Sequence, residues 1–339
     1  MRRAPRSLVM ITLLALLALA VGLLAACGGS SDDTTASPSA GSDATTKAYK
    51  IGITQIVSHP ALDATVQGFK DALAAKGFTN VTYVEENAQG DIATAASIAQ
   101  KLASEDLDLI LTVATPTSQS MVKVDKETPI VFTAVTDPKG AGLVADPAAP
   151  DANVTGVSDM QPVEPILALA NQLKPGSTKI GVIYNSGEVN SVFLVDAEKA
   201  AAKTMGLEIV EATAAKPAEV SAAAESLVGR VDAITVIGDN TAVTALESIV
   251  KVCNENGILL LAGDSDSVKR GAVASYGFDY ADLGMQSGDI AARILGGTPV
   301  TSIPVEFAQN LQLSVNEAAA KAQGVTLPAD LVAEAVNKY

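Results

Sequence analysis

Tryptophan is absent from this 339-residue chain, histidine occurs once and cysteine twice. A Cys/His metal cluster is excluded by that count alone, since such a centre needs several ligands of these types. Enzyme signatures are missing as well: there is no Gly-x-Ser-x-Gly, no phosphate-cradling Gly-x-x-x-x-Gly-Lys and no His-Glu-x-x-His. The glycine-rich stretch Gly140-Ala141-Gly142 has no strand–helix setting for a nucleotide and reads as a surface loop. No catalytic residue, metal or cofactor is therefore expected. Basic residues are also in deficit, 23 Lys and Arg against 38 Asp and Glu, for a net charge of −15. Such a body repels nucleic acid phosphates.

One long apolar run is present, and it lies at the start. Arg2, Arg3 and Arg6 precede an apolar stretch from Leu8 to Leu24, which ends in small residues and not in a charge cluster. That pattern is an export signal and not a permanent span. Leu24-Ala25-Ala26-Cys27-Gly28 resembles the bacterial lipobox, in which cleavage precedes the Cys and its thiol is lipidated. The expectation is a signal peptide over 1–26, a membrane tether at Cys27 and a body that stays in water. Residues 28–46 are rich in Ser, Thr, Gly, Asp and Ala, so 27–47 reads as a lipidated Cys followed by a flexible linker. With Cys27 acylated no disulfide is possible. Cys253, on the apolar face of a helical stretch, reads as a small buried hydrophobe.

Beyond Lys50, short β-branched runs alternate with helical segments. Strands are predicted at Lys50–Ile53, Val81–Val84, Leu109–Val113 and Ile130–Phe132. Helices are predicted at Ala61–Lys76, ending at Gly77, at Asp91–Ser104, opened by Asp91, and after Pro116. This alternation predicts an α/β fold with doubly wound parallel sheets. The length of the chain favours two domains. The grammar then repeats. Lys50-Ile51-Gly52-Ile53 returns as Lys179-Ile180-Gly181-Val182, Gly77-Phe78 as Gly206-Leu207, Leu107-Asp108-Leu109-Ile110 as Val231-Asp232-Ala233-Ile234, and Pro129-Ile130-Val131-Phe132 as Gly257-Ile258-Leu259-Leu260. Four pairs in one order with nearly constant displacement predict two similar lobes facing a cleft. In such sheets ligands sit beyond the carboxyl ends of the strands.

The repeat nominates the loops that form the site. They carry Gln55 and His59, Thr115 and Ser118, Thr136 and Asp137, Asn185, Asn190 and Ser191, Asp239 and Asn240, and Asp264. These loops are polar and hold little charge other than Asp, which suits a small hydrogen-bonded solute. Thr115-Pro116 reads as an N-cap with Pro at the first helical position, and its free N–H groups with the Thr and Ser hydroxyls make a seat for a carboxylate. Asp239 or Asp264 on the other lobe would then face an ammonium, unless each is only a helix cap. His59 before Pro60 reads as a ligand hydrogen bond or a cap. Tyr184, Phe193, Phe278 and Tyr280 are candidate pocket walls, with core packing the default for Phe193.

Several of these segments together form a specific pattern. They are Ile51-Gly52-Ile53-Thr54-Gln55-Ile56, His59-Pro60-Ala61-Leu62-Asp63, Ala114-Thr115-Pro116-Thr117 and Val131-Phe132-Thr133-Ala134-Val135-Thr136-Asp137-Pro138. Tyr184-Asn185-Ser186, Gly238-Asp239-Asn240, the run Ala262 to Gly271 and Gly277-Phe278-Asp279-Tyr280 complete it. From Lys50 to about Pro328 the chain resembles the solute-binding lipoproteins of ABC importers associated with tryptophan and tyrosine uptake. The resemblance implies a type I periplasmic-binding-protein-like fold whose lobes close on a ligand like a hinge. It places the crossings near Ser158–Pro162, Gly277–Asp279 and Asn310–Leu313, so that 48–157 with 278–309 form one lobe and 158–277 with 310–339 the other. It adds Asp279 to the candidate ligand contacts.

The expected protein is a monomeric, lipid-anchored receptor on the extracytoplasmic face of a bacterial membrane. Its expected partners are a membrane permease with ATPase subunits and a small solute, an aromatic or hydrophobic amino acid. A nucleoside or sugar receptor and an exported sensor domain are the alternatives. The scarcity of aromatics for ring stacking counts against a sugar.

Overall fold

The computed structural model describes residues 47–339. The expected signal peptide 1–26, Cys27 and the linker up to residue 46 lie outside the described residues. The chain opens with β1 (Tyr49–Gln55), α1 (Pro60–Ala75), β2 (Val81–Asn87), α2 (Ile92–Ala103), β3 (Leu109–Val113), α3 (Thr115–Val124), β4 (Ile130–Thr133) and β5 (Val154–Ser158). It continues with α4 (Val163–Leu173), β6 (Lys179–Tyr184), α5 (Val189–Met205), β7 (Glu208–Thr213), α6 (Val220–Leu227), β8 (Ala233–Val236), α7 (Asn240–Thr244), α8 (Leu246–Asn256), β9 (Leu259–Asp264), α9 (Ser265–Lys269) and β10 (Ala274–Phe278). Last come α10 (Tyr280–Leu295), β11 (Glu306–Phe307), β12 (Gln312–Val315), α11 (Glu317–Ala322), α12 (Ala329–Glu334) and β13 (Asn337–Lys338).

Two sheets result. One has the order β2-β1-β3-β4-β5-β11, the other β7-β6-β8-β9-β10-β12-β13. Only the β10–β12 pair is antiparallel. The first five positions correspond one for one, so the repeated sequence segments occupy repeated places. Central strands such as β3 are buried along their whole length, whereas the edge strand β7 alternates. That is the expected difference between a strand covered on both faces and one at the rim.

The repeat has a physical basis in two devices. A Cβ on Gly52 would stand 2.8 Å from Leu107 Cδ1, and one on Gly181 would stand 2.8 Å from Leu227 Cδ1. Each glycine thus admits an apolar side chain against the backbone of a central strand. In addition, Asp108 accepts from the Lys50 amide at 2.8 Å, and Asp232 accepts from Lys179 N at 2.9 Å and Thr178 N at 2.8 Å. The same carboxylate ties the start of the same two strands together in each lobe.

The chain passes between the lobes three times, after β5, after β10 and between β11 and β12. Helix α10 therefore packs on the first lobe, although it follows the second in sequence. Its Leu283 and Ile290 join the core around Phe69, Leu73 and Phe132. Fully burying side chains of this size contributes roughly 1.5–3 kcal/mol each. Cys253 is buried in the second lobe, and its apolar surroundings push the thiol up to about 12. Phe193 departs from the expectation of core packing: it is 37 % exposed on α5.

Candidate ligand site between the lobes

The site begins with helix starts. His59 is the N-cap of α1, its Nδ1 accepting from Leu62 N at 3.4 Å. Because Nδ1 accepts, the neutral ring carries its proton on Nε2. Burial, with a contribution from the Arg270 charge, lowers the His59 pKa to about 4, so the ring is neutral at pH 7.

The start of α3 differs from the sequence expectation. Ala114, not Thr115, is the N-cap, at φ 81° and ψ 159°, and no side chain caps it. Thr117 and Ser118 instead turn their hydroxyls back to the Val113 and Ala114 carbonyls, and Ser118 also bonds Thr112. Thr115 Oγ1 is buried without a partner. Just past the end of the adjacent strand β4, Ala134 has φ 54°. Two alanines in backbone regions that favour glycine, side by side at strand ends, mark a place where the fold holds local strain.

On the second lobe, Asp239 and Asp264 both serve as N-caps, the reading that was the alternative to ammonium contacts. Asp239 accepts from Asn185 N at 2.7 Å, Ser191 Oγ at 2.6 Å and Ala242 N at 2.6 Å. Asp264 accepts from the amide and the hydroxyl of Ser267, each at 2.8 Å. Burial raises both carboxyls, and these hydrogen bonds oppose it.

These elements meet around an inner cavity of ≈ 20 Å³. His59, Leu62, Ala134, Asp159 and Tyr280 line it from one side, and Asn190, Gly238, Asp239, Asn240 and Val243 from the other. Its volume is about that of one water. A second interlobe chamber of ≈ 290 Å³ adjoins it, walled by Ile56, Val57, Pro217, Glu188, Thr241 and again Asn240. Asn240, shared by both, donates to Glu188. Larger hollows, such as the ≈ 550 Å³ one beside Lys76, Asp289 and Arg293, lie on one lobe and do not join residues of both.

Of the nominated residues, His59, Asn190, Asp239 and Asn240 face the inner cavity. Ser191 and Asn185 stand behind them as donors to Asp239. Thr136 donates to Asp159 at 3.1 Å. Gln55 is buried and donates to Asp63 and to the Val57 carbonyl. Three others point elsewhere: Asp137 caps its own turn at Gly140 N, Asp279 caps α10 at Ala281 N, and Tyr184 donates to Glu211 on the neighbouring strand.

Three residues had no sequence signal strong enough to nominate them. Asp159 lies in the first crossing, 4 % exposed, and burial pushes its carboxyl up to about 6. Glu188 is buried beside Asp239, and both burial and that neighbouring charge raise it. Gln161 accepts from Gly238 N at 3.1 Å, and its Nε2 has no partner. Their common signal is an ionisable or amide side chain in a crossing or loop with nothing of opposite charge nearby in sequence, which only spacing to other lobe residues could have revealed. Among the described residues no cluster suited to a metal ion is present, and no helix is long and apolar enough to cross a membrane.

Residues 50–338 match the family model described as ABC transporter substrate binding protein. A tyrosine-binding protein of Clostridioides difficile (strain R20291) is 41 % identical over 279 residues, 81 % of each chain. Among solved structures, an ABC domain in complex with L-Trp from Streptococcus pneumonia superposes with a TM-score of 0.83 at 32 % identity, covering 86 % of this chain and 100 % of that one. The ligand-free, open structure of a substrate binding protein with adhesive properties from Clostridium difficile scores 0.66 at 40 % identity, covering 86 % and 99 %. The better superposition thus goes with the lower identity.

Proposed function

The chain belongs to the ABC transporter substrate-binding protein family, and from that premise we propose that it captures an aromatic amino acid between its lobes for delivery to a membrane permease. The observation that carries this reading is the cavity pair bordered by Asn240: polar side chains of both lobes surround the inner space, and apolar Ile56, Val57 and Pro217 border the outer one. The amino-acid head would lie against His59, Asp159 and Asn190. The ring would extend past Asn240 into the outer chamber. The relatives' tyrosine and tryptophan ligands support this class.

Closure of the lobes is the proposed mechanism. A ligand favours the closed form because only that form touches it from both sides. The structure superposes better on the L-Trp complex than on the open, ligand-free protein, which supports reading it as a shut form. The inner space is enclosed by residues of both lobes, so entry requires opening about the crossings near Ser158–Pro162, Gly277–Asp279 and Asn310–Leu313. Asn310, at φ 58°, lies in the third of these. The lobes are then 48–157 with 278–309 and 158–277 with 310–339.

Substrate-binding proteins of ABC importers work outside the cytoplasm, and the partners implied are a permease and its ATPase subunits. The finer placement is a monomer tethered through lipidated Cys27. Replacing Cys27 with Ala should move the protein from the membrane fraction to the soluble fraction, and unchanged fractionation would remove the anchor. The ligand class has a direct test in this chain's lack of tryptophan. Under indole-selective excitation only added tryptophan emits, and a saturable blue shift on mixing would report its entry. Thermal shift with the other amino acids extends the test to non-fluorescent ligands, because binding the folded state raises its apparent stability. If no aromatic amino acid shifts melting or emission, the reading fails. Equal recovery of each amino acid after incubation would confirm that binding, and not turnover, is the activity.

A further inference from the structure

We infer that the cleft recognises its ligand mainly through an ammonium group held between Asp159 and Asn190, so that aromatic monoamines lacking a carboxylate are ligands as well as aromatic amino acids. This rests on the amino-acid reading above and narrows which end of the molecule is read.

The balance of donors and acceptors around the inner cavity carries the inference. Asp159 accepts from Tyr280 Oη at 2.9 Å and Thr136 Oγ1 at 3.1 Å, one donor on each oxygen. A carboxylate accepts at about four sites, so each oxygen keeps a free one. Asn190 is 4 % exposed, and its Nδ2 is committed to the Gly238 carbonyl at 2.9 Å. Its Oδ1 is buried and without any partner. An unpaired buried acceptor costs about 1–3 kcal/mol, and what relieves it is a donor. Asp159 lies in the first crossing and Asn190 on α5 of the second lobe. An ammonium, with three donors, satisfies both at once and joins the two sides.

A ligand carboxylate finds no opposite charge. Among the described residues, no Lys or Arg lines the inner cavity. Arg270, whose charge reaches His59, is already bound to both Glu247 oxygens and to the Val243 carbonyl. The carboxylate would meet neutral donors only: the His59 Nε2–H and, if it reached them, the unpartnered Gln161 amide, the Thr115 hydroxyl and the uncapped N–H groups at the start of α3. It would do so beside Asp159, with Asp239 and Asp264 buried behind, where like charges repel more strongly than in water. Losing the carboxylate therefore removes bonds to neutral donors alone, while losing the ammonium leaves the Asp159 charge without a counterion and the Asn190 Oδ1 without a donor.

The test is calorimetry on the mature protein with L-tyrosine, tyramine and 3-(4-hydroxyphenyl)propionate, repeated with L-tryptophan, tryptamine and indole-3-propionate. We expect each amine to bind within about tenfold of its amino acid and each desamino acid to bind at least about 100-fold more weakly. Asp159→Asn, checked for folding by its melting curve, should weaken the amine and the amino acid by about 100-fold or more and leave the desamino acid no weaker. A desamino acid that binds within tenfold of the amino acid overturns the inference, as does an amine that fails where its amino acid binds. Those outcomes leave the amino-acid reading standing. If none of the six compounds binds, that reading and this inference fall together.

Discussion

Tyr280 donates its hydroxyl to Asp159 at 2.9 Å, although the two residues stand 121 positions apart in the chain. Tyr280 begins α10, just after the second crossing, while Asp159 lies in the first. The phenol is fully enclosed and its ring packs edge-on to Phe278 at 5.3 Å. One hydrogen bond thus ties the start of α10 to the segment that follows β5 and holds the carboxylate that lines the cavity.

Replacing Tyr280 with Phe should keep the packing and remove that bond. Hydrogen bonds to charged groups contribute about 1.5–3 kcal/mol, so the denaturant midpoint at pH 8 should fall accordingly. The hydroxyl favours the ionised carboxylate, and without it the Asp159 pKa should rise above its present value of about 6. The deficit relative to wild type should therefore be larger at pH 8 than at pH 5, where Asp159 is protonated. An equal deficit at both values would mean that the phenol acts by packing alone.

Asp239→Asn should act on stability first. Three donors converge on this carboxylate, from Asn185 N, Ser191 Oγ and Ala242 N. An amide cannot accept at both of its ends, so at least one donor is left unpaired, at a cost of about 1–3 kcal/mol. Thermal unfolding should register that loss. Any effect on ligand affinity should be smaller than that of Asp159→Asn, and the reverse ranking would return the ammonium to Asp239.

Gly284→Ala should disturb the contact between α1 and α10. A Cβ at position 284 would lie 2.1 Å from the Thr65 carbonyl oxygen, and one at Gly68 would lie 2.3 Å from the Ala281 carbonyl oxygen. The obstacle is backbone on both helices, so the helices must part. Overpacking of this kind costs typically about 1–3 kcal/mol. Because α10 begins at Tyr280, affinity should fall along with stability. A variant as stable as wild type would show that the helix pair is not tightly set.

Glu198 gives the clearest pH dependence. It lies on α5, fully enclosed, with Thr235 Oγ1 donating to it at 3.2 Å, and burial raises its carboxyl to about 8 from an ordinary 4.5. The folded state holds this proton more tightly than the unfolded state. Its contribution to stability is thus fully present below about pH 4.5 and is lost as pH rises toward 8 and above. Glu198→Gln should remove that slope: the variant should gain on wild type steadily between pH 5 and pH 8. Parallel stability curves for the two proteins would contradict the raised pKa.

Much of this fold is legible in the sequence. The central strands are continuous apolar runs, and Asp91 caps α2 as its place before that helix indicates, accepting from Thr94 N at 2.6 Å. The repeat is legible because its devices are local in kind: a glycine under a leucine, and an Asp tying two strand starts. The site is legible only as a set of loops. Asp239 and Asp264 look alike in sequence whether they cap a helix or await a ligand, since both roles place an acceptor before a helix. The start of α3 misleads for a related reason. Thr115 has a cap's chemistry, but it is already the first residue of the helix, so Ala114 holds the cap position, and the Thr117 and Ser118 hydroxyls donate to carbonyls and cap no N–H group.

By itself, the sequence determined the two-lobed α/β architecture, since apolar periodicity and glycine placement act over a few residues and survive any arrangement of the whole. It also determined the acidic balance and the expected tether at Cys27. Only the tertiary structure decided which carboxylates are spent and which are free. Asp264 is satisfied by Ser267 three positions on, whereas Asp239 draws donors from Asn185 and Ser191, 54 and 48 positions away, and Asp159 from Thr136 and from Tyr280, 121 positions away. Hydrogen-bond saturation depends on contacts between distant segments, and those exist only once both lobes and their crossings are in place.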